Sequence, residues 1–313
     1  MKFYRNLIIL AIVLIVLIVT YIFVPKKNET ENGVGVSASN TIVKTFKVDD
    51  IKKIALKNFS GSIVLERIAQ NWKMTAPAEY KLDTISVSSF VKNICNFKAL
   101  DIIDDKPTDI AVYGLKSPTA ILTVKTKNGM STHFKLGSAL PVGNGYYLMT
   151  SDSNIVYSIS DFAAGDILRT SAEFRDKTIF AFSKKDVSYI TVSKQGKDLF
   201  KLKRNKAGWD VITLETKAGD SKKIESIVDK LSMLKAKEFI NPNSYNREEI
   251  LGEKDRYAIA IGIEKQPELK LLVGKDLDEG STYAEKIGSQ EVFAVYKGDV
   301  NFVSQRPKEL EKQ

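Results

Sequence analysis

Apolar and polar positions alternate along most of this chain, and the period of the alternation changes at recurring places. Residues 7–24 do not alternate: eighteen positions run without a charge. As a helix at ~1.5 Å per residue they span about 27 Å, close to the ~30 Å hydrocarbon core of a bilayer. Lys2 and Arg5 precede the run, Pro25-Lys26-Lys27 follow it, and no small-x-small cleavage site ends it. The pattern predicts an uncleaved membrane anchor over residues 1–27 rather than a removed signal peptide. Residues 28–40 are polar, rich in Gly, Ser and Asn, and without period. They predict a flexible tether, extended here to residue 45.

Period-two stretches follow at 51–56, 62–67 and 72–75, with turn chemistry such as Asn58-Phe59-Ser60-Gly61 between them, which is the signal of strands in hairpins. The period then lengthens. Asp83 is placed to cap a helix whose apolar face carries Phe90, Val91, Ile94 and Phe97, at spacings of three and four. Further strands are expected at 120–126, 132–136, 146–150 and 155–159. The same succession returns at 187–192, 199–203 and 209–212, then a helix capped by Asp220 with Ile224, Ile227, Val228, Leu231 and Leu234 on one face. Strands at 257–263, 269–273, 282–286 and 292–296 complete it. Tyr257, Ile259, Ile261 and Ile263 point one way, so one face is expected to be apolar and the other wet, as in an antiparallel sheet. Asp161 and Asp299 are expected to start short closing helices.

The recurrence has a register. Asn71-Trp72-Lys73-Met74 and Gly208-Trp209-Asp210-Val211 hold the only two tryptophans, 137 residues apart. At that offset Asp83 falls on Asp220, Ile94 on Leu231, Lys98-Ala99 on Lys235-Ala236, Ile102 on Phe239 and Gly137 on Gly274. With one residue dropped, Val156-Tyr157 falls on Val292-Phe293. An internal repeat at fixed period is the expectation. The predicted organisation is a transmembrane anchor (1–27), a tether (28–45) and two tandem α+β repeats (46–180 and 181–313), each a mainly antiparallel sheet with one principal helix. Trp72, Trp209, Phe90, Ile94, Ile227 and Leu231 are the expected repeat core.

Composition removes several classes of chemistry. One cysteine (Cys95) and one histidine (His133) among 313 residues exclude a disulfide framework and a Cys/His zinc site. Of the net charge of +9, residues 1–27 hold four basic and no acidic groups, which leaves +5 on the body. Such a mildly basic surface suits anionic envelope polymers or headgroups, but a solvated lysine-rich face accounts for it more simply. Nucleic acid does not fit a body outside the membrane. Asp101, Asp104, Asp105 and Asp109 supply oxygens of the kind hard cations want, without calcium-loop spacing. His133 lies in an alternating strand opposite Lys270 in the register and reads as surface, while Cys95 beside the helix stripe reads as a small, partly buried hydrophobe. Gly137-Ser138 and Gly274-Lys275 end strands and make no phosphate loop. No catalytic, cofactor or metal residues are expected.

Trp72 before Thr75-Ala76-Pro77, Asp83 opening a helix, Tyr113-Gly114-Leu115-Lys116-Ser117-Pro118, Leu136-Gly137, Val156-Tyr157 and Phe174-Arg175-Asp176-Lys177 together resemble a bacterial membrane-anchored family, domain of unknown function 4340. Tyr113, Gly114, Leu115 and Pro118 form its most specific element. The second half departs there, with Ile250-Leu251-Gly252 and no following proline. The resemblance implies no enzymatic activity; members stand beside ABC-type transporter components and gliding-type auxiliary proteins, which implies an accessory role. The expectation is a non-enzymatic, single-pass protein with a cytoplasmic N-terminus, its body outside the cell membrane as an interaction module of a transporter or envelope assembly. The alternative is a binding module for an anionic or carbohydrate envelope ligand. Oligomeric state is not legible in the sequence.

Overall fold

A computed structural model describes residues 41–312 except Glu253, Asp255 and Gln290. The predicted anchor and most of the tether therefore lie outside the described residues. Among the described residues no helix is long and apolar enough to cross a membrane. By packing, the chain divides into two compact units, residues 41–59 with 91–168 and residues 60–90 with 169–312.

The elements are β1 (Thr41–Thr45), β2 (Ile51–Asn58), β3 (Gly61–Ile68), β4 (Asn71–Ala76), α1 (Thr84–Cys95), β5 (Asn96–Ala99), β6 (Asp101–Asp104), β7 (Ala120–Thr126), β8 (Ser131–Ala139), β9 (Gly145–Thr150), β10 (Val156–Ser160) and α2 (Asp161–Leu168). They continue as β11 (Val187–Lys194), β12 (Lys197–Asn205), β13 (Gly208–Ile212), β14 (Thr216–Ala218), α3 (Ser221–Ser232), β15 (Glu238–Phe239), α4 (Arg247–Leu251), β16 (Tyr257–Ile263), β17 (Leu269–Asp276), β18 (Ser281–Lys286), β19 (Val292–Tyr296) and α5 (Lys297–Val300). The fold is α+β, of mostly antiparallel sheet with few helices. Every strand pair described is antiparallel, both in hairpins such as β11–β12 and in pairs distant along the chain such as β11–β16.

In the first unit β2, β7, β8, β9, β10 and β6 run as successive neighbours, and β1 pairs with β5. Residues 41–45, which the sequence pattern assigns to the tether, thus form a strand. In the second unit β3 and β4 make a hairpin, and β14-β13-β12-β11-β16-β17-β18-β19-β15 form one nine-stranded sheet. The pairings correspond one to one: β2–β7 with β11–β16, β8–β9 with β17–β18, β10–β6 with β19–β15, and β3–β4 with β12–β13.

The nine-stranded sheet is held by one continuous core. Ile190 and Val192 of β11, Ile259 and Ile261 of β16, and Leu271 and Val273 of β17 face Ile224, Ile227, Val228 and Leu231 of α3. Each such side chain removed from water contributes about 1.5–3 kcal/mol. The spacing that predicts the apolar stripe of α3 is the spacing that buries it. In α1, Phe90, Val91 and Ile94 are likewise buried.

The sheets are less one-sided than their alternation suggests. Leu272 and Val292 lie with Ile250 and Leu251 of α4 in a second, smaller cluster that also takes Ala258, Tyr245 and Tyr283. In the first unit Leu115, Met149 and Val156 form a similar patch with Ile110, Tyr113 and Tyr147. The expected wet face is therefore partly roofed. A one-turn helix reaching the outer face is a tertiary fact that strand periodicity does not encode.

Candidate functional site

Asp83 and Asp220 cap their helices alike. Asp83 Oδ1 accepts from the amides of Ile85 and Ser86 at 2.8 and 2.9 Å, and Asp220 Oδ1 from those of Lys222 and Lys223 at 3.1 and 3.2 Å. The tryptophans do not match. Trp209 is 2% exposed; its indole N–H donates to Glu225 at 2.8 Å and Arg204 lies 4.4 Å from the ring. Trp72 faces Arg67 across its hairpin as Trp209 faces Arg204, yet it is only half-buried. The expectation of two indoles in like interior slots is thus corrected for Trp72. The register position of Glu225 falls on Ser88, which is too short a side chain to offer the same acceptor.

The Tyr113 to Pro118 turn has a packing role. Asp109 Oδ1 caps the Ile110–Tyr113 turn by accepting from Ala111 N at 2.9 Å, and Gly114 ends it at φ 71°, a conformation glycine adopts without penalty. Leu115 beneath is buried, and Pro118 is half-buried. A Cβ on Gly137 would run into the Tyr113 carbonyl, as one on Gly274 would run into that of Ile250. The second half thus reaches a similar close approach with different turn residues.

The other sequence candidates are separate side chains in local roles. His133 is exposed on β8, its Nδ1 2.9 Å from Thr123 Oγ1. Cys95 is fully buried, more than the sequence suggests, and burial pushes its thiol pKa up. Asp104 accepts from Tyr113 Oη at 2.8 Å and Lys106 N at 2.9 Å; the bond from the phenol raises the Tyr113 pKa above its ordinary value. Among the described residues no group of three or more His, Cys, Asp or Glu is arranged to hold a metal ion.

One cluster of charged and aromatic side chains is not marked as a site by the sequence pattern. It centres on Arg175, a motif residue with no assigned role. Thr170 and Glu173 form a capping box that sets the 171–174 turn. Phe174 is buried against Phe90, ring centroids 4.9 Å apart, and Asp83 N and Asp176 N tie residues 80–83 to 174–176 through the carbonyls of Phe174 and Lys81. The chain next runs beside β15's approach, Ala236 N donating to Lys177 O and Ile179 N to Leu234 O.

Between these two tracks the Arg175 guanidinium lies 3.9 Å from the Tyr80 ring and 3.4 Å from that of Phe239, with Nη2 2.6 Å from Glu291 Oε1. A planar, weakly hydrated cation is suited to a gap between two rings. Around it lies a cleft of about 270 Å³ that also takes in Lys81, Asp176 and Lys286. Burial works to raise the Asp176 carboxyl, but hydrogen bonds from Lys81 and Thr178 outweigh it and hold it below the usual range. Lys286 Nζ donates to Ile179 O at 3.0 Å. The cations of this cleft are engaged by protein groups, so its chemistry is that of an internal clasp. Its traces in the sequence are the Phe174 to Lys177 motif and the pairing of Ile102 with Phe239 in the repeat register.

Ile102 occupies Phe239's place in the other sheet. It faces Tyr157 of β10 as Phe239 faces Phe293 of β19. Ile102 and Ile103 are 44% and 43% exposed on an edge strand. Asp101 Oδ1 accepts from Ile102 N at 2.8 Å.

The family described as domain of unknown function (DUF4340) matches residues 72–251. No curated protein and no solved structure matches the chain.

Proposed function

The chain belongs to the DUF4340 family, and from that premise we propose that it is a non-enzymatic, membrane-anchored interaction module. It serves a transporter or another envelope assembly outside the cell membrane. Its body is a tandem repeat, a reading supported by the one-to-one strand pairings and by matched details such as the Asp83 and Asp220 caps. The anchor reading rests on the uncharged run at residues 7–24.

The observation that carries the reading is β6, an edge strand with two exposed isoleucines in a row. An edge strand offers unpaired backbone groups to another chain, and apolar side chains exposed beside them add surface for that chain to bury. The ligand reading would use the cleft beside α3, lined by Lys222, Lys223 and Lys230. It is less favoured: the Asp220 carboxylate already takes the first amides of that helix, and Lys223 is held by Glu309 O at 2.8 Å.

Mild crosslinking of intact membranes, followed by purification of the full chain, should recover a transporter or envelope component at defined stoichiometry. Recovery of the chain alone would count against the proposal. Protease added from outside should remove the body and leave the anchor; full protection would overturn the orientation.

A further inference from the structure

The contrast between β6 and β15 gives the proposed interaction role a definite surface and partner chemistry, and the docking site inferred from it rests on that role. On β15, Phe239 is covered by the Arg175 guanidinium at 3.4 Å, and that arginine is paired to Glu291. It arrives on the segment that runs beside residues 234–236, with Thr178 bridged to Lys235. In the first unit the track beside the corresponding residues 97–99 is β1, where Ile42 faces Lys98. Arg175 stands three residues before Thr178, and three residues before Ile42 the sequence has Ser39. Residues 28–40 contain no arginine and no aromatic residue. The sequence thus has no counterpart of Arg175 at that place in the register.

The rim of β6 is acidic where a cation would arrive. Asp101 and Asp105 are exposed beside Ile102 and Ile103, with Asp104 and Asp109 on the same stretch and exposed Val112 on the turn that Tyr113 ties to Asp104. An apolar strip flanked by carboxylates is complementary to an extended segment whose arginine lays its methylene stem along an isoleucine and brings its charged head to the acids. We propose that β6 is the docking strand for an extended, arginine-bearing segment of a partner protein, whose arginine stem packs on the exposed isoleucines while its guanidinium pairs with Asp101 and Asp105. A second copy of this chain is a poor occupant, because its Arg175 is already held by Tyr80, Phe239 and Glu291.

The test places a photo-reactive amino acid at Ile103 in the full chain, in its native membranes, with the fully exposed Leu214 as the control position. Adducts are mapped to the residue by mass spectrometry. The expected result is an adduct from position 103 on a different protein, with an arginine within three residues of the linked site and none from position 214. The yield should fall at least fivefold in Asp101→Asn/Asp105→Asn, a pair at the surface whose folding is checked by its melting curve. An adduct to lipid or to a second copy, a yield unchanged by the double substitution, a mapped segment without arginine, or no adduct would each overturn the proposal. Adducts confined to position 214, with a transporter component recovered, would overturn the β6 surface while leaving the interaction role standing.

Discussion

The last strands of the two sheets, β15 and β6, hold the same register against their neighbours and have opposite fates. On β15 an aromatic side chain is closed over by an arginine and a second ring, and the arginine is neutralised by Glu291. On β6 an isoleucine lies open beside carboxylates. The difference teaches that two sheets with matching strand pairings need not match at their surfaces. Strand pairing satisfies the backbone groups of both sheets, whereas the cover over an edge depends on which side chains distant segments bring to it.

The most forceful way to break the comparison is Arg175→Ala. It removes the stacked cation and leaves Glu291 without this partner, and should cost about 2–3 kcal/mol in chemical denaturation. Ile102→Ala, at the open counterpart, should cost less than about 1 kcal/mol. Equal losses would mean that β6 is as closed as β15. The tryptophans offer a second contrast. Trp209→Phe forfeits the bond to Glu225 and the Arg204 contact and should cost about 1–3 kcal/mol, against under ~1 kcal/mol for Trp72→Phe.

Where the halves agree, the variants should agree too. Asp83→Ala and Asp220→Ala should each lose about 1 kcal/mol of stability, within error of one another. The smallest effect is in pH dependence. The depressed carboxyl of Asp176 contributes stability that is present in full above its unfolded pKa of ~3.9 and is lost as pH falls through the lower folded value. Asp176→Asn should therefore lower the melting temperature slightly near neutrality, where that contribution is present in full, and flatten its fall below about pH 4, so that variant and parent converge in acid. A variant whose acid limb matches that of the parent would show that the Lys81 pairing adds nothing.

Much of the scaffold is legible in the residue pattern alone. Residues 120–126, 257–263 and 292–296 are strands with the bounds that alternation predicts, and Asp83 and Asp220 cap helices at the residues that Asx chemistry selects. The strands β5, β6, β14 and β15 escape such a reading, since two to four residues carry too little period, and β1 escapes it because it continues a polar run read as tether. Asp299 sits inside α5 rather than opening it. For the candidate site, the sequence displays the Phe174 to Lys177 motif and the Ile102–Phe239 pairing but joins neither to Tyr80 or Glu291. Those residues lie 95 and 116 positions from Arg175, and no local pattern spans such separations.

By itself, then, the sequence determined period, caps and recurrence, because these depend on spacings of two to four residues along one chain and on copying that spacing 137 residues later. Only the tertiary structure decided which copy of an equivalent position is buried. Burial belongs to whatever distant segment folds across it: Arg175 partly covers Phe239, Glu225 and Arg204 hold Trp209, and Ile102 is left exposed at a sheet edge.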